Sequence, residues 1–270
     1  MAEVLTGRAS TDNYWLKSEE KAVNILFTIC GRAGSKGILN KNIRDFAGKP
    51  LPFYSLSAID LYLKKHEEVQ YDIVVNSDSE ILLDMMKNSG IRPVYLIDRN
   101  ASLAGDTIGK IDVIANCLDV MQERKNTKYD AVVDLDITSP LRKVRDIENL
   151  LQVHFDKKPD VTTSVAPARR NPYFHQVMRT EKGVKKVIQS NYTSRQQAPE
   201  IFDMNASLYA YSPEYLKSGK GVLDGYCEII EMYDTGILDL DHENDFELME
   251  VISEYLFRQY PEFAQIRDNI

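Results

Sequence analysis

Short apolar runs alternate along the chain with longer segments in which apolar residues recur at helical spacing. The run NILFTIC, at Asn24–Cys30, is typical of a strand buried on both faces. Further strands are predicted at Asp72–Asn76, Pro93–Ile97 and Ala131–Ile137. Helices are predicted between and after them, at Pro50–Lys64, Ser79–Asn88, Ile108–Arg124 and Val144–Phe155. This alternation predicts an α/β fold with a Rossmann-like, doubly wound, mostly parallel sheet.

The rhythm changes after Asp160. Three short strand-like pieces follow one another without helices, at Val161–Val165, Tyr173–Met178 and Val184–Ile188. They predict a small inserted β-rich lobe at about residues 161–190. The chain is expected to return to the main sheet at Ala206–Tyr211 and Ile237–Asp241, and an amphipathic helix is predicted at Asn244–Arg258. Residues 1–23 are polar and are expected to form an extension rather than a signal peptide, so the domain is assigned to residues 24–270.

Composition narrows the classes of function. The 270 residues carry a net charge of −8 without a long basic run, which argues against nucleic acid or an anionic membrane as a partner. The three cysteines form no C-x-x-C pair, which argues against a disulfide scaffold or structural zinc and fits a reducing cytoplasm. No apolar run reaches membrane-spanning length.

A glycine-rich loop follows the first predicted strand. Gly31, Gly34 and Gly37 are three residues apart, and five basic residues lie between Gly31 and Pro50: Arg32, Lys36, Lys41, Arg44 and Lys49. Glycines let backbone N–H groups approach an anion, and lysines add point charges, so the loop predicts a phosphate site. The spacing fits neither G-x-x-x-x-G-K-[ST] nor G-x-G-x-x-G, which excludes two common nucleotide loops.

Six motifs in order resemble the CMP-sialic acid synthetases, the N-acylneuraminate cytidylyltransferases within the sugar nucleotidyltransferase superfamily. The first is R-x-x-S-K-G, with K-N and G-K-P-L, at Arg32–Leu51. The others are V-N-S-D (Val75–Asp78), R-N-A-S-L-A-G-D-T (Arg99–Thr107), T-S-P-L-R (Thr138–Arg142), R-Q-Q-A-P with N-A-S-L-Y (Arg195–Pro199 and Asn205–Tyr209), and L-D-L-D (Leu238–Asp241). The resemblance covers about residues 24–250.

The resemblance implies a reaction in which CTP and an acidic 2-keto-3-deoxy sugar of the nonulosonic or sialic type give a CMP-sugar and pyrophosphate. Catalysis would be mostly positioning and electrostatics. The implied catalytic clamp on the triphosphate is Arg32, Lys36 and Lys41. The wider nucleotide site adds Ser35, Asn42, Asp78 and Arg99.

A triphosphate also calls for a divalent cation, normally Mg²⁺. Asp239 and Asp241 lie two apart on a predicted strand, so both point to one face. Resemblance to the family's D-x-D implies that they hold Mg²⁺. An isolated D-x-D would instead be interpreted as a solvated strand edge.

The expected sugar site contains Arg195, Asn205 and Tyr209, with Arg195 binding the sugar's carboxylate. Tyr209 could equally be a core aromatic residue. Asp136 and Asp203 stand where the family commonly has glutamine and arginine, which favours a nonulosonate other than N-acetylneuraminate, such as legionaminic or pseudaminic acid. Alternatively, the aspartates pair with nearby arginine or lysine and leave the sugar preference unchanged.

Family members use a β-rich arm to dimerise, so the resemblance also implies a homodimer, with Arg169 or Arg170 near the partner's pocket. Two other functions stay open. One is a cytidylyltransferase for another keto-deoxy sugar acid, such as 3-deoxy-manno-octulosonate. The other is a nucleotide-binding regulator that has lost turnover.

Overall fold

The computed structural model describes residues 22–34, 37–105, 108–192, 194–233, 240 and 242–270. The strands are β1 (Asn24–Cys30), β2 (Asp45–Phe46), β3 (Lys49–Pro50), β4 (Gln70–Ser77), β5 (Tyr95–Asp98), β6 (Ala131–Leu135), β7 (Val161–Pro167), β8 (Val177–Thr180), β9 (Gly183–Lys186), β10 (Phe202–Tyr211) and β11 (Cys227–Glu231). The α-helices are α1 (Leu51–Lys65), α2 (Glu80–Lys87), α3 (Lys110–Lys125), α4 (Val144–Lys157), α5 (Pro213–Leu216), α6 (Glu243–Gln259) and α7 (Pro261–Asp268). Short 3₁₀ helices lie at Lys41–Ile43, Ala101–Leu103 and Arg195–Gln197.

A seven-stranded sheet forms the centre, in the order β11-β7-β10-β6-β1-β4-β5. The pairs β1–β4, β1–β6, β4–β5 and β7–β11 are parallel. Strand β10 runs antiparallel to both β6 and β7. All seven residues of β1 are buried, as its uninterrupted apolar run predicts. The α/β fold with a mostly parallel sheet is confirmed.

Helices cover both faces of the sheet, and strand alternation divides the core in two. Phe27 and Val133 belong to the cluster that packs against α1, α4, α6 and α7. Leu26 and Val132 belong to the opposite cluster, with residues of α3 and α5. We call this second side the α3 face. Polar side chains at the carboxyl ends of these same strands therefore point to one face or the other by the same alternation.

The predicted boundaries need correction mainly after Asp160. The predicted lobe at about residues 161–190 begins too early. Its first strand, Val161–Pro167, belongs to the main sheet, where it lies between β10 and β11. Of the two separate two-stranded sheets among the described residues, one pairs β2 with β3, and the other, within the predicted lobe, pairs β8 with β9. Strand β11 and helices α5 and α7 are additions to the prediction, whereas the long helix after His242 is confirmed as α6. Apart from Leu240, the strand predicted at Ile237–Asp241 lies outside the described residues.

Strand β10 contains an irregularity at the N-A-S-L-Y motif. Its pairing with β7 shifts register between Met204 and Tyr209. Ala206, inside this bulge, has φ of 48°, in the left-handed region that favours glycine. Bulges re-aim the side chains around them. This one lies on the stretch where the sequence places the sugar site.

Candidate active site

The carboxyl ends of β1, β4 and β6 meet at one edge of the sheet, where open α/β sheets bind ligands. The loop after β1 is anchored there, since the Gly31 N–H donates to the Asn76 carbonyl at 3.1 Å. A Cβ at Gly31 would lie 2.6 Å from Leu82 Cδ2 and 2.9 Å from Ile137 Cδ1. Close packing therefore explains the first glycine of the loop, independently of any phosphate contact.

Asp78 and Asn42 hold the backbone of this loop. The Ala33 N–H donates to Asp78 Oδ1 at 2.7 Å, and Asn42 Nδ2 donates to the Arg32 carbonyl at 3.0 Å. A cavity of about 170 Å³ opens beside them, and Arg32, Asn42 and Ser79 are among its lining residues. Arg32, Asn42 and Asp78 are thus brought together, as the sequence predicts. Ser35 and Lys36 lie outside the described residues.

Arg99 is buried, not a surface arginine. Its Nε donates to Asn76 Oδ1 at 2.7 Å, and its Nη2 donates to the carbonyls of Gly31 at 2.7 Å and Asn76 at 2.9 Å. The guanidinium therefore ties the ends of β1 and β4 to each other through backbone acceptors. Its predicted contact with the nucleoside stays a prediction. The described contacts give Arg99 a positioning role at the same edge.

Three basic residues of this region contact the C-terminal part of the chain, in two different ways. Arg44 forms an ion pair with Glu243 at 2.7 Å and stacks over Phe246, and Lys49 donates to the Ile270 carbonyl at 3.0 Å. These two cations connect the loop to the C-terminal helices. Lys41 instead donates through Nζ to the Leu240 carbonyl. Leu240 lies between Asp239 and Asp241, which are themselves outside the described residues.

On the α3 face, Lys110 joins two carboxylates. Its Nζ lies 2.7 Å from Asp134 Oδ2 and 2.7 Å from Asp136 Oδ2. The Asp134 side chain is fully buried, and the Thr28 hydroxyl donates to its other oxygen at 2.7 Å. For Asp136, this is the pairing with a nearby lysine that the sequence left open as an alternative. A direct contact between Asp136 and the sugar stays a prediction.

The ion pairs set the charges of this cluster. Burial disfavours the ionised form of Asp136, but the Lys110 ammonium and two hydrogen bonds from Thr138 outweigh it and hold the pKa of Asp136 below its usual value. Burial likewise opposes ionisation of Lys110, yet the two carboxylates raise its pKa well above the ordinary range. Asp136 and Lys110 are therefore both charged at neutral pH.

Arg142, the last residue of T-S-P-L-R, is fully buried beneath this cluster. It donates to the carbonyls of Asp136 and Ser139 and to the Ser55 hydroxyl. Burial lowers the pKa of Arg142 to about 10, which still leaves it charged at neutral pH. The conformation of the loop after β6 therefore depends on a buried guanidinium.

The N-A-S-L-Y segment lies in β10, which pairs with β6 beside this cluster. Asn205 Oδ1 accepts hydrogen bonds from the Ser164 hydroxyl at 2.6 Å and from the Ser207 N–H at 3.3 Å. Among the described residues, buried Asn205 Nδ2 has no hydrogen-bond partner. Tyr209 lies opposite Asp134 in the register of β10 and β6, and burial raises its pKa. Tyr209 is half-buried, packs against the core on the α3 face and stacks on Tyr211 with ring centroids 6.0 Å apart, so its contact with the sugar stays a prediction.

Two other predicted sugar residues are less well defined. Asp203 is half-buried in β10, opposite Ala166 of β7. Arg195 opens a 3₁₀ helix at Arg195–Gln197, and its side chain lies outside the described residues. Within the described ranges, no three His, Cys, Asp or Glu side chains form a cluster that could hold a metal ion. The two aspartates predicted to bind Mg²⁺ fall outside those ranges.

Lys110, Thr28 and Ser207 were missed by the sequence reasoning. One signal was available for Lys110, because Asp134 and Asp136 form a second D-x-D on a strand face. Two like charges buried on one face require a compensating cation or a proton. The sequence does not say which of the many lysines supplies it.

Comparison with known proteins decides the family. A sequence profile described as Cytidylyltransferase matches residues 26–260. The chain belongs to the cytidylyltransferase family. The family resemblance is thereby confirmed, and the chain is a nucleotidyltransferase enzyme.

Three curated relatives match this chain along nearly their whole length. "Post-translational flagellin modification protein B" of Campylobacter coli is 34% identical over 229 residues, which are 84% of this chain and 94% of the relative. "CMP-N,N'-diacetyllegionaminic acid synthase" of Campylobacter jejuni gives the same identity and coverage. The protein of that name from Legionella pneumophila is 28% identical over 86% of this chain and 97% of its own length.

A solved structure of CMP:2-keto-3-deoxy-manno-octonic acid synthetase complexed with CTP shares the fold. It superposes with a TM-score of 0.58 at 16% identity and covers 86% of this chain and 99% of that one. No helix among the described residues is both long enough and apolar enough to cross a membrane.

Proposed function

We propose that this cytidylyltransferase transfers CMP from CTP to an acidic nonulosonic sugar and releases pyrophosphate. The observation that carries the proposal is that the loop after β1, Asp78 and the turn after β6 with Asp136 all follow the carboxyl ends of neighbouring parallel strands, at one edge of the sheet. The loop supplies backbone N–H groups and basic side chains to the triphosphate. The opposite wall, from T-S-P-L-R to N-A-S-L-Y, supplies polar side chains to the sugar.

The transfer itself asks for charge stabilisation and alignment. The anomeric oxygen of the sugar attacks the α-phosphorus, the bond to the β-phosphate oxygen breaks, and pyrophosphate leaves. In this proposal Arg32, Lys36 and Lys41 bind the phosphates. Asp78, Asn42 and Arg99 keep the loop in place, so that little reorganisation is needed when charge develops.

Magnesium fits the donor set of this site. Asp239 and Asp241 would hold it, and their neighbour Leu240 is bound by Lys41, a residue of the phosphate loop. Hard carboxylate oxygens beside a triphosphate are suitable Mg²⁺ ligands. When bound, the ion would neutralise charge on the phosphates. We expect Asp239→Asn and Asp241→Asn to raise the Mg²⁺ concentration needed for half-maximal rate, whereas unchanged Mg²⁺ dependence in both would contradict this assignment.

For the sugar, we infer a nonulosonate of the diacetyllegionaminic type. Two relatives, at 34% and 28% identity, carry that substrate in their names. The test is to incubate the protein with each nucleoside triphosphate, Mg²⁺ and a panel of nonulosonic acids and 3-deoxy-manno-octulosonate, and to identify products by mass. A CMP adduct of a nonulosonate is expected. Exclusive use of the octulosonate would establish the alternative substrate, and absence of any product would favour the silent regulator.

We also infer a homodimer formed through β8 and β9. This hairpin exposes apolar side chains that a monomer would leave in water, with Val177 60% and Val184 61% exposed. Arg169 and Arg170 follow β7 and would lie near the partner's site. Light scattering should give a dimer, and Val177→Lys with Val184→Lys should give a monomer, whereas Val251→Lys on α6 should not. A fully active wild-type monomer would refute the arm.

The three cysteines are free thiols, which fits the cytoplasmic location that we propose.

A further inference from the structure

We call the segments from T-S-P-L-R to N-A-S-L-Y, with Lys110, the sugar wall. Some of its side chains already use nearly all of their hydrogen-bond donors and acceptors, and others do not. Asp136 Oδ1 accepts two hydrogen bonds from Thr138, from N–H at 3.0 Å and from the hydroxyl at 2.9 Å. Asp136 Oδ2 accepts from Lys110 at 2.7 Å. A carboxylate oxygen offers about two acceptor positions. Asp136 therefore keeps at most one acceptor for a ligand, and its main role is to hold the turn after β6.

Lys110 retains a donor. An ammonium carries three N–H groups. The hydrogen bond to Asp136 uses one of them, and the ion pair with Asp134 engages at most one more. The Lys110 side chain is 33% exposed, whereas that of Asp134 is 0% and that of Asp136 is 19% exposed. The most accessible member of the cluster is thus the cation.

Ser207 lies beside this cluster. It alternates with Leu208, which belongs to the opposite core, so its side chain lies on the α3 face with Tyr209 and Asp134. The Asp136 N–H donates to the Ser207 carbonyl at 3.1 Å, which fixes the two residues next to each other. The Ser207 side chain is fully buried, and its hydroxyl has no hydrogen-bond partner among the described residues. Buried hydroxyls in native proteins nearly always have a partner.

The charge of the wall selects the kind of group that fits. Asp134 and Asp136 are balanced by Lys110 and the buried Arg142, so the cluster is close to neutral. A sugar carboxylate would gain little net attraction here. A neutral oxygen with two lone pairs would accept from both unused donors. The carbonyl oxygen of an acylamino group has this chemistry, whereas a protonated amine could donate to the Ser207 hydroxyl but would be repelled by the Lys110 ammonium.

We propose that Lys110 and Ser207 form the subsite that binds the carbonyl oxygen of an acylamino substituent on the sugar. The inference rests on the proposed function and names the group that this half of the site reads. Lys110 also positions Asp136, so its replacement has two effects. Ser207 is the cleaner probe, because its hydroxyl holds no other described group.

The experiment compares kcat/KM for a diacetylated nonulosonate and for analogues in which one acetamido group is replaced by hydroxyl or by a free amine. We expect the wild type to prefer the diacetylated sugar. In Ser207→Ala, the ratio of kcat/KM for the diacetylated sugar to kcat/KM for the analogue should fall about tenfold, the effect of losing one hydrogen bond. KM for CTP should not change. Removal of an unpaired buried hydroxyl should leave the melting temperature unchanged or slightly raised, which excludes misfolding as the cause.

Lys110→Met should lower the preference about tenfold to a hundredfold, because a charged donor is lost. Lys110→Arg should restore part of it. The matched controls are Ser253→Ala, a buried serine of α6, and Lys125→Met, which lies at the far end of α3 and pairs with Asp72. Neither control should alter the preference. Identical preferences in wild type, Ser207→Ala and Lys110→Met would overturn the subsite. Failure of the wild type to turn over any acidic sugar with CTP would overturn the proposed function itself.

Discussion

On the nucleotide side of the cleft, side chains hold the backbone. Asp78, Asn42 and Arg99 all bond to main-chain atoms of the loop after β1 or of the strand ends beside it. On the sugar side, Arg142 also bonds to main-chain carbonyls, but the charged side chains pair with each other as well, as Lys110 does with Asp136, 26 residues away. The first arrangement fixes a loop shape that can bind a phosphate chain. The second buries charges whose balance determines which neutral or charged groups can approach.

The two arrangements also differ in how they respond to substitution. Loss of one backbone-holding side chain should loosen the loop and weaken CTP binding without touching the sugar. Loss of one member of the charge cluster leaves the others unbalanced in a buried place, which is costly. The sides can therefore be separated by experiment.

The largest expected effect is on the nucleotide side. Lys36→Ala should lower kcat/KM about a hundredfold to a thousandfold, the loss typical when one electrostatic donor to a transition state is removed. Lys49→Ala is the control, because that lysine belongs to the same segment but donates to the Ile270 carbonyl. Steady-state kinetics and thermal melting check both. Near-wild-type turnover in Lys36→Ala would remove Lys36 from the clamp.

A second effect, on the stability of the fold, should appear only when the pH is varied. Asp146 is buried and accepts from the Lys143 N–H at 2.8 Å, and burial raises its pKa from 3.8 to about 6. A carboxyl whose pKa is raised in the folded state does not lower the free energy of unfolding below its unfolded-state pKa, because it is then protonated in both the folded and the unfolded protein. Its cost grows as pH rises from about 4 to 6 and then stays constant, reaching about 3 kcal/mol.

Asp146→Asn cannot ionise, so it should stabilise the protein relative to wild type more at pH 8 than at pH 4, by up to that amount. Urea unfolding at both pH values measures it. Asp245 is the control, since it accepts from the His242 N–H at the same 2.8 Å but its side chain is 28% exposed. A stability difference between Asp146→Asn and wild type that does not vary with pH would show that Asp146 is not ionised against its burial.

A third effect concerns loop anchoring. Asp78→Ala removes the acceptor for the Ala33 N–H and should raise KM for CTP about tenfold, the effect of one hydrogen bond to a charged group. KM for the sugar should stay within about twofold. Asp84→Ala, whose side chain bonds only to Asn88 in the described structure, serves as the comparison. Equal increases in both KM values would show that the loop serves both substrates.

The smallest effect is at the bulge in β10. Ala206 has φ of 48°, which costs an alanine about 1 kcal/mol relative to glycine. Ala206→Gly should therefore raise stability by about 0.5 to 1 kcal/mol, measured by denaturant midpoint. A loss of stability would mean that the alanine methyl group packs usefully in the bulge.

The nucleotide side was largely predictable because its residues belong to short motifs that can be recognised in the sequence. A buried apolar strand, three glycines and an aspartate after the next strand are all readable in sequence, and Arg32, Asn42 and Asp78 do come together. The use of Arg99 was not predictable, since an arginine motif does not say whether the guanidinium faces ligand or backbone. Its burial depends on how β1 and β4 end.

The sugar side was less predictable for two physical reasons. The partner of Asp134 and Asp136 lies on a helix, and only the packing of α3 on the sheet selects Lys110 among the lysines. The antiparallel insertion of β10 between β6 and β7 brings Ser207 and Tyr209 opposite β6. That topology also explains why the sequence predicts Val161–Val165 as part of a lobe, because a strand without a following helix gives no local sign of its partners.

The most direct test of two separable halves is a crossed kinetic measurement. KM for CTP and KM for a diacetylated nonulosonate are determined in wild type, Asp78→Ala and Ser207→Ala under identical conditions. We expect Asp78→Ala to raise only KM for CTP and Ser207→Ala to raise only KM for the sugar, each by about tenfold. If either variant raises both constants together, or if the two effects exchange, the assignment of the two sides of the cleft is wrong.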